Sequence, residues 1–267
     1  NRAVLRFKWK FSNSIIEQRM VVNADSRRID FVTDVDWHEH QVLLKAAFPV
    51  DLRATKATYE IQFGNVERPT HWNTSWDYAR FESVAQRWID LSERDYGVSL
   101  LNDCKYGHDV KDSRMRITLI KSGVDPDPQA DQGHHAFTYS LYPHGGDWFD
   151  GDTNRVAMEL NHPLHGCVVD STAGNLPQEF SFIDVETTSV ILDTVKQSED
   201  GENLVLRFYE YGNRRDHVTV NMAQEIGELF ECNLMEKDHQ PAPFEGRSFS
   251  FTMKPYEIKT FMLKLNR

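Results

Sequence analysis

The chain has 267 residues, 40% of them hydrophobic, and its 30 basic and 41 acidic side chains give a formal net charge of -11. This size allows two domains or one large β domain. An acidic surface repels phosphate backbones, and no apolar stretch is long enough to span a bilayer, so we expect neither a nucleic-acid nor a membrane partner.

The amino terminus and the cysteines indicate the setting of the protein. The chain opens inside a strand-like pattern, with neither an initiating methionine nor a signal peptide. We therefore expect it to be a piece cut or processed from a longer polypeptide. Its three cysteines, Cys104, Cys167 and Cys232, are far apart and odd in number. They form neither a disulfide framework nor a metal motif, so a reducing, cytoplasmic location is expected.

Alternation of apolar and polar residues predicts β-strands through the first part of the chain. In residues 5–11 a leucine and three aromatic residues share one face and basic residues take the other, which predicts a strand with one buried face. Residues 29–37 and 57–63 repeat this pattern. Short alternating strands separated by polar turns are typical of a β-sandwich and not of a fold that alternates strands with helices.

The middle of the chain is less regular. Residues 76–91 fit a helix about as well as a strand, so their structure stays open at this point. Residues 121–135 are rich in proline, aspartate and glycine and predict a loop, and long ordered loops on rigid sheets tend to carry sites. Residues 151–160 predict a short helix, with Asp152 or Thr153 as the cap of its amino end.

The last third of the chain predicts a second, smaller domain. Residues 163–177 combine glycine, proline, asparagine and serine and predict a linker. Strand patterns at residues 188–195 and 204–211 flank a polar turn, which indicates a β-hairpin. We therefore expect a large β-supersandwich over residues 1–162 and a small carboxy-terminal β-sandwich over residues 178–267.

The residues by themselves do not identify an active site. The sequence contains no nucleophile elbow, phosphate-binding loop, dinucleotide fingerprint or HExxH zinc motif. His38 and His40 would share the face of a strand, and they would need a third ligand from elsewhere to hold a metal. Four tryptophans are candidates for stacking on sugar rings, although most tryptophans of β-sandwiches lie in the core: Trp72, Trp76, Trp88 and Trp148.

Several longer motifs together resemble one family. They are residues 34–40 (DVDWHEH), 68–82 (RPTHWNTSWDYARFE), 86–92 (QRWIDLS), 96–107 (YGVSLLNDCKYG) and 131–144 (DQGHHAFTYSLYPH). In this order they resemble the C-terminal domain of glycoside hydrolase family 38, the class II α-mannosidases, and most closely the cytosolic and vacuolar branch. The resemblance covers nearly the whole chain and is strongest over its first half.

The resemblance implies a fold and a division of labour. The fold would be mainly β, with a large supersandwich of the galactose-mutarotase-like kind followed by a smaller β-sandwich. Enzymes of this family remove α-linked mannose from oligosaccharides with retention of configuration, using an aspartate nucleophile, an aspartate acid/base and one zinc ion. Those groups lie in an N-terminal catalytic domain and the helical bundle after it. We therefore expect this chain to hold no catalytic residue and no metal, and zinc to belong to the full-length enzyme.

The resemblance also implies which residues border the sugar pocket. The C-terminal part of the family packs on the N-terminal catalytic domain of the same chain, and its loops help to wall the pocket for a mannose-containing oligosaccharide. The candidate pocket residues lie in two predicted loops: Asn102, Asp103, Lys105, Tyr106, Lys121, Asp125, Asp127, Asp131, His134 and His135. Two alternatives stay open, an autonomous carbohydrate-binding module and a platform for a homo-oligomer.

Overall fold

The computed structural model describes residues 1–170, 174–175 and 177–266. The chain forms two compact units, Asn1–Gly166 and Cys167–Arg267. The division falls within the linker predicted over residues 163–177, of which residues 171–173 and 176 lie outside the described residues. Among the helices of the described residues, none is both long and apolar enough to cross a membrane.

Antiparallel strands build most of the first unit, as the alternating sequence predicts. Its strands are β1 (Arg2–Phe11), β2 (Ser14–Asn23), β3 (Ile29–Trp37), β4 (Val42–Pro49), β5 (Lys56–Ile61), β6 (Gly64–Pro69), β7 (Ser83–Val84), β8 (Trp88–Ser92), β9 (Tyr96–Asn102), β10 (Gly107–Lys111), β11 (Arg114–Ser122) and β12 (Gly133–Gly145). Two short helices complete it, α1 (Ser75–Ala79) and α2 (Thr153–Asn161).

Two sheets of unequal width enclose the core of the first unit. One has eight strands in the order β1-β2-β3-β12-β9-β8-β5-β6, and the other has four in the order β4-β11-β10-β7. Buried side chains from both sheets, such as Val35, Ile89 and Ile117, form one apolar cluster. The sheets are also linked by a hydrogen bond of 3.2 Å from the Trp37 indole Nε1 to the Ser122 hydroxyl.

The prediction of one buried face on the first strand is wrong. β1 is exposed along its whole length, and Leu5, Phe7, Trp9 and Phe11 keep 39–55% of their surface accessible. The reason is the unequal width of the sheets, because the Phe48 ring of β4 packs on aromatic rings of β3 and β12 and the smaller sheet does not extend over β1. We call these four side chains the apolar overhang.

The segment that the sequence left open contains both kinds of structure. Residues 76–91 divide into most of helix α1 and the strands β7 and β8. A capping box starts α1, because the Thr74 hydroxyl accepts from the Asp77 amide at 3.1 Å and the Asp77 carboxylate accepts from the Thr74 amide at 3.2 Å. This short helix is therefore stabilised by its capping residues, and hydrophobic periodicity does not reveal it.

The predicted short helix is confirmed as α2, and Asp152, one of the two predicted caps, occupies its N-cap position. Asp152 has a left-handed backbone with φ of 56° and makes no capping hydrogen bond, and its carboxylate binds Arg155 instead. α2 packs on the outer face of the large sheet, where Val156 and Ala157 contact Trp88 and Leu101. This helix buries a second side of strands β8, β9 and β12.

The second unit is a smaller pair of antiparallel sheets. Its strands are β13 (Ile183–Glu186), β14 (Val190–Gln197), β15 (Leu204–Glu210), β16 (Asp216–Met222), β17 (Ile226–Cys232), β18 (Gln240–Pro241), β19 (Ser248–Met253) and β20 (Ile258–Leu265). They form sheets in the orders β13-β16-β19 and β14-β15-β20-β17-β18. The predicted hairpin is confirmed as β14 paired with β15. Phenylalanines from both sheets meet in the core, with the Phe251 and Phe261 rings 4.6 Å apart.

Candidate functional site

The first predicted loop follows β9 and is held by Asn102. This buried side chain donates to the Gln86 carbonyl at 3.0 Å and accepts from the Lys105 amide at 2.7 Å. Asp103 fastens the loop to β12, because its carboxylate accepts from the Thr138 amide at 2.8 Å. The polar groups of Asn102 and Asp103 are therefore used mainly to hold the loop in its conformation.

The other side chains of this loop are more open. The Lys105 ammonium lies 4.6 Å above the Phe137 ring of β12, a cation–π contact that fixes its position. Tyr106 keeps 54% of its surface exposed. Burial of the sulfur, followed by the Asp103 carboxylate, raises the pKa of Cys104 to about 12, although the residue as a whole is exposed. Cys104 therefore stays a thiol at neutral pH and is no nucleophile.

The second predicted loop is shorter than the sequence suggested. Lys121 lies in strand β11, next to its end at Ser122. His134 and His135 belong to β12, so the connection spans only residues 123–132. The Asp131 carboxylate accepts from the Lys121 amide at 3.0 Å, and the Asp131 carbonyl lies 2.9 Å from the His135 Nε2. Strand pairing extended further into this segment than its proline and glycine content indicated.

Four of the candidate residues come together at the start of β12. Alternation along this strand puts His135 on the same face as Phe137, over which Lys105 lies, and hydrogen bonds join Asp131 to His135 and Lys121. We call Lys105, Lys121, Asp131 and His135 the polar rim. Lys121 joins the rim through its backbone amide, so the rim offers the Lys105 ammonium, an imidazole and a carboxylate, a mixture that suits the hydroxyls of a sugar.

The three other candidates of the second segment, His134, Asp125 and Asp127, lie outside this group. His134 takes the opposite face of β12, 3.9 Å from the Asp34 carboxylate. Asp125 precedes a cis peptide bond to Pro126, and Asp127 accepts from the Gln129 amide at 2.8 Å within the same loop. These contacts are local, so they do not bring the three residues to the polar rim.

Asp90, Ser99 and His144 form a buried cluster that was not predicted from the sequence. The Asp90 carboxylate and the Ser99 hydroxyl both approach the same ring nitrogen of His144, at 2.8 and 3.1 Å. A catalytic relay needs the acid and the nucleophile on different ring nitrogens. The three residues are also at most 2% exposed, so the cluster is structural.

Glycines give the His144 ring its space. A Cβ atom at Gly97 would lie 2.4 Å from the His144 Cε1, and one at Gly151 would lie 2.4 Å from its Cγ. Ser99 also bonds the Thr153 hydroxyl at 2.7 Å, which ties β9 to the first turn of α2. The spacing of these residues in the sequence carries no signal of such a cluster, because they come from four separate elements.

Histidine, cysteine and acidic side chains are the groups that could hold a metal ion in the described part of the chain. No group of three histidine, cysteine or acidic side chains among the described residues is arranged to hold a metal ion. His38 and His40 do not share a strand face as predicted, because β3 ends at Trp37. His38 instead lies 2.9 Å from the Asp36 carboxylate, and Glu39 accepts from the Ser14 hydroxyl at 2.8 Å.

Two family models match the two units of the chain in order. Residues 1–129 match the model of the glycosyl hydrolases family 38 C-terminal domain. Residues 189–261 match the model of the glycosyl hydrolases family 38 C-terminal beta sandwich domain. The resemblance drawn from the long motifs, including its branch of the family, is confirmed.

Individual relatives agree with these models. The chain is 40% identical to alpha-mannosidase G of Dictyostelium discoideum, over 93% of this chain and 23% of that protein. It is 39% identical to human alpha-mannosidase 2C1, over 95% of this chain and 25% of that protein. The crystal structure of an alpha-mannosidase from Enterococcus faecalis V583 has the same fold, with a TM-score of 0.78 and 19% identity over 94% of this chain and 29% of that one.

The chain thus spans about a quarter of the length of the curated relatives that it matches. The matched parts correspond to the C-terminal domains in both family models. The predicted mainly β fold is confirmed as well, since both units are built from antiparallel sheets. The chain belongs to glycoside hydrolase family 38 and carries the C-terminal domain and the C-terminal β-sandwich domain of that family.

Proposed function

We propose that this chain is the C-terminal β portion of a retaining α-mannosidase that removes α-linked mannose from oligosaccharides. The match to both C-terminal models of family 38 carries this proposal, and the named relatives are α-mannosidases. In this proposal the aspartate nucleophile, the acid/base aspartate and the zinc ligands belong to the N-terminal catalytic domain. The fully buried geometry of Asp90, Ser99 and His144 supports the assignment of chemistry elsewhere.

The polar rim is proposed to border the sugar pocket. Lys105 and His135 are oriented by contacts with β12 and with Asp131, so their donors are held in place before a ligand arrives. A sugar needs donors and acceptors that converge on its hydroxyls, and preorganised groups bind it at lower entropic cost. The rim would orient the mannose ring and would exchange no proton with the reacting atoms.

The apolar overhang is proposed to pack on the N-terminal catalytic domain. The Phe7 and Trp9 rings stack on each other at 5.4 Å and remain exposed, and contiguous apolar patches of this kind mark interaction surfaces. Antiparallel pairing of β1 with a second copy of itself is disfavoured. A register that matches the apolar faces of two such strands also sets basic residues such as Arg6 and Lys8 opposite each other.

A cytoplasmic location is proposed on the chemistry of the cysteines. Cys104, Cys167 and Cys232 are all free, and two of them are exposed. Free exposed thiols persist in reducing compartments and are oxidised or paired in secreted proteins.

The proposal is tested by comparing this chain with the full-length enzyme, using p-nitrophenyl α-D-mannopyranoside as substrate. The full-length enzyme should release nitrophenol and should lose this activity when a chelator removes its zinc. The isolated 267-residue chain should release none. Turnover by the isolated chain would contradict the proposal.

Variants of the full-length enzyme test the rim itself. His135→Ala and Asp131→Ala should lower kcat/KM by about tenfold each, which corresponds to the loss of about one oriented hydrogen bond. Gln129→Ala is a matched control, because this exposed residue lies in the same loop and outside the rim. Equal rates for all three variants would remove the rim from the pocket.

A further inference from the structure

A small pit opens where the two sheets of the first unit meet at their far edges. It is lined by Arg68 and Pro69 of β6, Tyr59 of β5 and Asp109 of β10. Five residues of the segment after β6 close it: His71, Trp72, Asp77, Arg80 and Phe81. The pit has about 20 Å³ of space for the centre of a water-sized group. That space is enough for one or two water-sized groups and too small for a sugar ring. None of the polar rim residues lines it.

Two polar atoms at this pit are buried and have no hydrogen-bond partner. They are the Arg68 Nε and the His71 Nδ1. The His71 Nδ1 is 3.7 Å from the Asp77 carboxylate, which is too long for a hydrogen bond. Buried donors and acceptors are nearly always paired, because an unpaired one loses its hydration without compensation. The pair therefore points to a group that binds there from outside.

Other contacts hold the two atoms in place. The Arg68 guanidinium lies over the Tyr59 ring, 5.3 Å from its centroid, and its Nη2 donates to the Val84 carbonyl at 3.5 Å. They hold the guanidinium while its buried Nε–H stays unpaired. A hydroxyl group can accept from the Arg68 Nε–H and donate to the His71 Nδ1, which satisfies both atoms at once.

The surroundings decide between a neutral and an anionic ligand. Two cationic and two anionic side chains line the pit, Arg68 and Arg80 against Asp77 and Asp109, so its charges balance and favour a neutral ligand. Trp72 and Phe81 line it too, and the Phe81 ring is 60% exposed at the surface. An exposed aromatic ring beside hydrogen-bonding groups offers an apolar platform for the C–H face of a pyranose.

We infer that this pit is a binding site for a neutral sugar, with one hydroxyl of the ring between Arg68 and His71 and its apolar face on Phe81. The site takes a single terminal pyranose, since only one hydroxyl arm fits inside. It goes beyond the proposed role of the chain as a pocket wall. A glycoside hydrolase gains from such a site by holding an oligosaccharide through a sugar that it does not cleave.

The test is calorimetric titration of the 267-residue chain with methyl α-D-mannopyranoside, in parallel with inorganic phosphate. We expect millimolar binding of the mannoside and none of phosphate. Arg68→Lys, which keeps the charge and removes Nε, and Phe81→Ala should each weaken binding by about tenfold. Trp76→Ala is the matched control, because this residue is 75% exposed in the neighbouring helix and does not line the pit.

Each other outcome overturns the inference. No mannoside binding by the wild-type chain would leave the pit to ordered water. Binding that is unchanged in both Arg68→Lys and Phe81→Ala would place the sugar elsewhere, and binding of phosphate in place of the mannoside would make it an anion site. Circular dichroism of each variant confirms that it is folded. The result is independent of mannosidase activity, which is measured on the full-length enzyme.

Discussion

The first unit buries charged and polar side chains, whereas the second unit buries a core that is almost entirely apolar. Asp90 and His144 in the first unit are at most 2% exposed, and Asp109 and Glu60 at most 5%. In the second unit Glu210 is the one fully buried charge among the described residues, and backbone amides of Gly212 and Tyr256 satisfy it. Aliphatic side chains and the buried rings of Phe208, Phe249 and Phe261 fill its core.

This difference shows where precise geometry is needed. The cluster around His144 ties together β8, β9, β12 and α2, and two of these strands lead directly into the polar rim. A fully satisfied polar network allows one arrangement, while an apolar core tolerates several at similar energy. We infer that the polar interior of the first unit fixes the rim and that the apolar core of the second unit stabilises only its own sheets.

The largest effect is expected from breaking the buried polar cluster. His144→Ala removes the imidazole from the buried Asp90 carboxylate, which then keeps only the Ser92 and Ser99 hydroxyls, and should lower the free energy of unfolding of the first unit by about 3–5 kcal/mol. All six tryptophans lie at or before Trp148, so their fluorescence reports the first unit alone. Hydrogen exchange of peptides from residues 183–265 reports the second.

Leu206→Ala is the reciprocal variant, because it opens a cavity in the core of the second unit and should destabilise that unit by about 3 kcal/mol. Tryptophan fluorescence should then keep the wild-type midpoint in urea. If His144→Ala speeds hydrogen exchange in both units alike, or if Leu206→Ala shifts the fluorescence midpoint, the two units unfold as one. Either result would contradict the comparison.

Acid should destabilise the two units in different pH ranges. Burial lowers the pKa of His108 from 6.5 to about 4, so the unfolded chain binds a proton more readily than the folded one between those values. The first unit should therefore lose up to about 3 kcal/mol as the pH falls from about 6.5 to 4. His108→Asn should remove this slope from the fluorescence-detected unfolding.

The second unit should respond only at lower pH. Burial alone would raise the pKa of Asp216, but hydrogen bonds from Thr187, Thr188 and Ser189 outweigh it and lower the pKa to about 2. The stability that this carboxylate contributes is present above its ordinary pKa of 3.8 and is lost as the pH falls toward 2. Loss of stability of the second unit above pH 5 would contradict this assignment.

The smallest effect on this chain is expected from the apolar overhang. Phe7→Ser should lower the free energy of unfolding by only about 1 kcal/mol, because the ring is 39% exposed and loses little more than its stacking on Trp9. In the full-length enzyme the same variant should lower the thermal midpoint, since there the face is proposed to be covered. Phe180→Ser is the matched control, with a ring that is 73% exposed in the second unit. Equal thermal midpoints for both full-length variants would mean that the catalytic domain does not cover the overhang.

The family and many strand positions of this protein could be predicted from long motifs and from alternation in the sequence. Alternation placed strands β1, β3 and β5, and the polar turn between residues 197 and 204 fixed the hairpin of β14 and β15. The family followed from stretches such as residues 68–82 and 96–107, whose order is a property of the sequence alone. These features are local, or they repeat along the chain, so no tertiary contact is needed to detect them.

The sequence patterns do not show which of their side chains become buried, because burial depends on the tertiary structure. The apolar face of β1 has the same pattern as that of β3, yet β3 is covered and β1 is not, because the facing sheet is narrower. The pit beside Arg68 and the cluster around His144 join residues from separate strands, whose distances follow from strand order and register. A sequence specifies the period of its side chains, while the width and pairing of its sheets determine which of them lie buried, paired or open to a ligand.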